Sequence, residues 1–107
     1  MPLVATEALQ QLPAVILPRL IKMFGSTTPA MLADIREHAH TGNLIELGKA
    51  AHKLKGSCVS LGAVQMGDIC KTLQHKGESG DASDINTLVA ELETLYPATL
   101  QALEQAV

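Results

Sequence analysis

The chain has 107 residues, enough for one hydrophobic core and too few for two, so residues 1–107 are expected to form a single domain. Nearly half of the residues are apolar, yet there is one Phe, one Tyr and no Trp. The core must therefore come from Leu, Ile, Val, Met and Ala, which suits helices packed on helices. The net charge of -3 removes any general electrostatic case for nucleic acid, and no stretch has the length of a membrane span or the pattern of a secretion signal.

The N-terminal part, residues 1–26, reads as one or two short helices that cover an end or side of a bundle. Thr6 is placed to cap a helix running through Gln11, and Pro13 ends it. The apolar run Ala14 to Leu17, caught between Pro13 and Pro18, is far too short for a bilayer, so a soluble, cytoplasmic protein is expected. Pro18 then opens a second short helix through Phe24, which Gly25-Ser26-Thr27 is expected to break.

Residues 28–106 read as an antiparallel up-and-down four-helix bundle, an all-α fold. Thr28-Pro29 has the form of a helix start, a capping hydroxyl followed by proline at the first helical position. Met31, Leu32, Ile35 and Ala39 continue an apolar face to the turn Thr41-Gly42-Asn43. Asn43 is placed to cap the next helix, which runs to about Leu61 before Gly62. A third helix carries Val64, Met66, Ile69, Cys70 and Leu73 and stops within Lys76-Gly77-Glu78-Ser79-Gly80. The last starts near Ser83 or Asp84 and continues its apolar spacing past Pro97, which predicts a kink there.

The helix that contains AAHKLKGSCVSLGA, Ala50 to Ala63, carries most of the chemical signal. Its apolar seam is Leu44, Leu47, Ala51, Leu54, Cys58 and Leu61, spaced three and four apart. At about 100° per residue, His52 falls roughly 135° from the centre of that seam and faces water. Within about 60° of it lie Ile45, Gly48, Lys49, Lys55, Gly56 and Val59, with no acidic residue among them. Each glycine inside a helix costs roughly 1 kcal/mol relative to alanine, and the reading is that both leave room for a bulky group at the ring. Lys55, one turn on, is placed to meet an anion on the imidazole, and Ile45 and Val59 form an apolar rim for a docking partner.

The run AHKLKGS, followed by Leu61-Gly62-Ala63 and Cys70-Lys71-Thr72-Leu73-Gln74, resembles the histidine-containing phosphotransfer domain of bacterial multistep phosphorelays, from about Phe24 to the end. The resemblance implies that His52 carries a phosphoryl group, that Lys55 steadies it and that Gly56 leaves it room. Gln74 falls where many members have glutamate and some glutamine, a side chain able to hydrogen-bond the active imidazole. The implied activity is that of a carrier between receiver-domain aspartates, with Nε2 as the attacking atom and Mg²⁺ supplied by the receiver. Either a free-standing carrier or the C-terminal module of a hybrid sensor histidine kinase fits.

The plainer readings are different. Ile45 and Val59 would serve equally in a helical bundle that binds a partner without chemistry. Lys49, nearer the histidine on the wheel, is assigned to partner steering, and Lys53 more weakly so. His38 and His40 are two apart and point to different sides of a helix, and with His75, Cys58 and Cys70 they make no four-ligand set, so neither metal nor cofactor is expected. Cys58 and Cys70 read as small core residues without a disulfide. No glycine-rich phosphate loop or kinase signature is present, which argues against ATP-dependent activity. A monomer is expected, because the apolar seams are used within one bundle.

Overall fold

The computed structural model describes residues 2–107; Met1, the first residue of the expected N-terminal segment, lies outside the described residues. Five helices follow in order: α1 (Thr6–Gln10), α2 (Leu17–Thr41), α3 (Leu44–Ser60), α4 (Val64–Ser79) and α5 (Ile85–Gln105). No strand occurs among the described residues. The long helices form a closed ring of neighbours, α2 against α3 and α5, and α4 against α3 and α5. The molecule measures 40 × 25 × 20 Å, its long axis matching the roughly 37 Å of a 25-residue helix. Ile35, Leu47, Leu54, Met66, Leu73, Leu92 and Leu103 are fully buried at its centre. Of the predicted α3 seam, Leu47, Ala51, Leu54, Cys58 and Leu61 are buried and Leu44 is partly so.

The turns follow the residues expected of them. Gly42 and Gly80 take left-handed conformations at the ends of α2 and α4, with φ of 74° and 73°, which a side chain would strain. Asn43 Oδ1 accepts the backbone N–H of Glu46 at 3.3 Å and starts α3. Gly62, at φ 69°, ends the α3 region, and the backbone N–H of Ala63 reaches the Cys58 carbonyl at 2.9 Å.

Gly62 also anchors the N-terminal segment. Its carbonyl accepts the Ala5 N–H at 2.7 Å, and a Cβ there would lie 2.8 Å from the Ala5 carbonyl oxygen. Gln65 Nε2 donates to the Pro2 carbonyl at 3.1 Å. The segment thus closes the α3–α4 end of the bundle. Its helix differs from expectation in one respect: Thr6 is the first helical residue, Ala5 precedes it, and no side chain caps the end.

A larger difference concerns α2. The expected break at Gly25-Ser26-Thr27 is absent, and Leu17–Thr41 is one helix with Pro29 inside it. Thr28 is accordingly no cap; it is buried in the core with its hydroxyl unpartnered. The physical reason lies at the neighbouring helix. Proline at 29 has no N–H to give the Gly25 carbonyl, four residues back. Tyr96 of α5 supplies the missing donor, its hydroxyl reaching that carbonyl at 3.1 Å. Phe24 and Tyr96 pack with ring centroids 5.9 Å apart, and Gly25 lets Leu100 come within 3.4 Å of where its Cβ would be. Ser26 and Thr27 bond back to the Met23 carbonyl at 3.1 and 2.8 Å, so their hydroxyls do not compete with the helix. Helix α5 likewise runs through Pro97 without ending.

Candidate functional site

Helices α3 and α4 meet over two glycines. A Cβ on Gly77 would stand 2.5 Å from the Leu44 carbonyl oxygen and 2.8 Å from the Gly48 Cα, so only glycine permits this crossing. The close approach brings α4 side chains to the outward face of α3. There, an open groove of about 550 Å³ is lined by Ile45, Gly48, Lys49, His52, Gln74, Gly77 and Glu78.

His52 is exposed, as its place on the helix requires. Its Nδ1 lies 3.1 Å from Gln74 Oε1, and Gln74 Nε2 donates to Glu78 Oε2 at 3.4 Å. An amide carbonyl only accepts, so a hydrogen bond at Nδ1 places the proton on Nδ1. The lone pair of the neutral ring is then on Nε2, the nitrogen not engaged by Gln74. This arrangement offers a nucleophile toward solvent with the ring held from behind.

The other predicted residues do not all gather at this groove. Lys55 is half-buried and borders a second depression with Cys58, Val59, Gly62 and Lys71. Among the described residues it has no ion pair or hydrogen bond, so its ammonium is available one turn from His52. Gly56 is exposed with nothing within 4 Å of its Cβ position, which leaves open space as expected. Ile45 and Val59 are 70% and 68% exposed, at opposite ends of the face that His52 centres. Lys53 is exposed and lines neither depression.

One expectation needs correction, and α4 adds groups that the wheel of α3 does not contain. Gly48 does not open space at the ring: it is buried, and its role is the helix crossing with Gly77. Lys49 is exposed at this groove, its Nζ 3.3 Å from Glu46 Oε1. Glu78 joins the surroundings of the histidine from α4. A wheel drawn for α3 alone contains neither Gly77 nor Glu78. The four-residue spacing of Gln74 and Glu78 on α4 was the available signal.

The remaining titratable pairs lie elsewhere. Cys58 and Cys70 are free and buried, and the Cys58 thiol, together with burial, pushes the Cys70 thiol well above the usual range. A larger groove, about 800 Å³, is lined by α4 and α5 residues including Asp68, Ile69 and Glu91, and shares no residue with the groove at His52. Among the described residues no three of His, Cys, Asp or Glu gather as metal ligands, and no helix is long and apolar enough to cross a membrane.

Comparison with known proteins places this geometry. A family model described as the Hpt domain matches residues 19–106. The chain is also similar to the crystal structure of histidine-containing phosphotransfer protein B (HptB) from Pseudomonas aeruginosa PAO1, at a TM-score of 0.88 and 21% identity over 97% of this chain and 93% of that one. At that identity the likeness concerns the fold. No curated protein sequence matches.

Proposed function

Because the chain belongs to the Hpt domain family, and is on that ground a phosphotransfer carrier of phosphorelay signalling with receiver domains as partners, we propose that His52 is the residue that carries the phosphoryl group. The observation that supports this most is the Nδ1···Gln74 contact at 3.1 Å on an exposed ring, which leaves Nε2 as the outward nucleophile. Nε2 attacks the phosphorus of a receiver's aspartyl phosphate. The N–P bond forms as the P–O bond to the aspartate breaks, and the carboxylate leaves in line with its electron pair. Gln74 accepts from Nδ1–H throughout, steadying the positive charge that the ring gains. Lys55, without an ion pair of its own, attends the phosphoryl oxygens, and Gly56 gives them clearance. A second receiver aspartate reverses the same bond changes and removes the group.

The partner face extends from Ile45 to Val59, with Lys49 and Lys53 exposed beside it. We place the Mg²⁺ that such transfer uses on the receiver, as the family resemblance implies. We assign the chain no kinase activity of its own, a monomeric state and a cytoplasmic setting, either free-standing or joined to a hybrid sensor histidine kinase. Incubation with a ³²P-phosphorylated receiver tests the assignment. The protein is expected to take up acid-labile, alkali-stable label, and His52→Gln to take up none. Equal labelling of the variant would leave only a docking role for this face.

A further inference from the structure

Gln74 can serve His52 only in one of its two amide orientations. With Oε1 toward the ring, Nδ1 must carry the proton and Nε2 is the nucleophile. With the amide turned over, its NH₂ group would require a lone pair on Nδ1 and so drive the proton to Nε2, where attack is no longer possible. Gln74 is therefore a weaker guarantee of the reactive tautomer than a carboxylate, which only accepts and has no wrong orientation.

We infer that Glu78 is a positioning residue for phosphoryl transfer: its carboxylate holds the Gln74 amide with Oε1 toward His52 and so selects the Nδ1–H tautomer. Three observations carry this. Glu78 Oε2 takes the Gln74 Nε2–H at 3.4 Å, while Gln74 Oε1 meets His52 Nδ1 at 3.1 Å, so one side chain links the two groups. A carboxylate has no hydrogen to offer, so the turned-over amide would set its oxygen against a negative charge. All three side chains border the same groove, and its other charged residue, Lys49, is engaged with Glu46 at 3.3 Å. The spacing of four residues keeps Glu78 one turn from Gln74 on the same face of α4. Gln74 and Glu78 thus divide between them what a carboxylate at position 74 would do alone.

This inference rests on His52 as the phosphorylated residue, but its test reads the ring before any phosphate is added. The tautomer of His52 is followed by long-range ¹H–¹⁵N NMR, and transfer from a phosphorylated receiver is timed in parallel. In Glu78→Lys the ammonium donates to Gln74 Oε1 and turns the amide, so the Nε2–H form becomes the majority and transfer slows in proportion to the lost Nδ1–H fraction, at least about twofold. Adding Gln74→Glu to Glu78→Lys restores Nδ1–H, because the carboxylate accepts from the ring and from the lysine together, and transfer recovers with it. A purely structural role for Glu78 would not be reversed in this way. An unaltered tautomer in Glu78→Lys, or no recovery in the double variant, overturns the inference even if His52 takes label. Undiminished labelling of His52→Gln instead refutes the underlying reading, whatever the tautomer shows.

Discussion

An imidazole attacks through a lone pair, so the contact from Gln74 Oε1 to Nδ1 matters more at His52 than the ring's exposure does. Around it, Lys55 and Gly56 have separable tasks. Lys55→Ala removes a cation with no ion-pair partner among the described residues; helicity should be unchanged, while transfer slows or the phosphohistidine loses lifetime by about tenfold, equivalent to roughly 1.4 kcal/mol. A Cβ at Gly56 would meet no atom within 4 Å, so in Gly56→Leu the fold should hold and gain up to about 1 kcal/mol of helix propensity. A receiver kept even about 1 Å off line loses on the order of a hundredfold in rate. Rapid-quench transfer assays beside circular dichroism check both, and a Gly56→Leu protein that transfers normally would remove the spatial role of that glycine. The periodicity of α3 was sufficient to place His52, Ile45 and Val59 on the outside. It misassigned Gly48, because the neighbour that buries it belongs to α4.

At the scale of elements, close contact between α3 and α4 depends on unequal glycines. Gly77→Ala would put a methyl 2.5 Å from the Leu44 carbonyl oxygen and 2.8 Å from the Gly48 Cα, where backbone must move. It should cost about 2 kcal/mol or more and widen the Gln74–His52 approach, lowering transfer as well. Gly48→Ala meets its nearest atoms at 3.4 to 3.6 Å and should stay within about 1 kcal/mol of wild type, helix propensity offsetting the tighter fit. Urea unfolding of the two variants separates them. Helices α3, α4 and α5 were legible from apolar spacing and end signals. The unbroken α2 was not, because the donor for the Gly25 carbonyl is a tyrosine 71 residues away and local propensity counts Gly25, Ser26 and Pro29 only as breakers.

Across the whole molecule, two carboxyls with depressed pKa contribute to the response to acid. Arg36 of α2 pairs with Glu93 of α5 and holds its carboxyl below the ordinary range, while Ser83 first and Lys76 next hold Asp81 at about 2. A carboxyl whose folded pKa is depressed contributes stability above its unfolded pKa and loses it as pH falls toward the folded value. For Asp81 that window runs from about 3.8 down to about 2, so the unfolding midpoint should begin to fall on acidification below about pH 4. Asp81→Asn and Glu93→Gln together should flatten that decline. The bundle architecture followed from composition and helical spacing, whereas the docking of residues 2–10 onto the α3–α4 turn needed the Gly62 backbone contact, which no pattern along the chain encodes.

The central claim concerns one atom. ¹⁵N-labelled protein, phosphorylated by a receiver and observed by phosphorus–nitrogen coupled NMR, should show a single phosphoryl group bonded to Nε2 of His52, with Nδ1 still protonated. A phosphoryl group on Nδ1, or on His38, His40 or His75, would contradict the account.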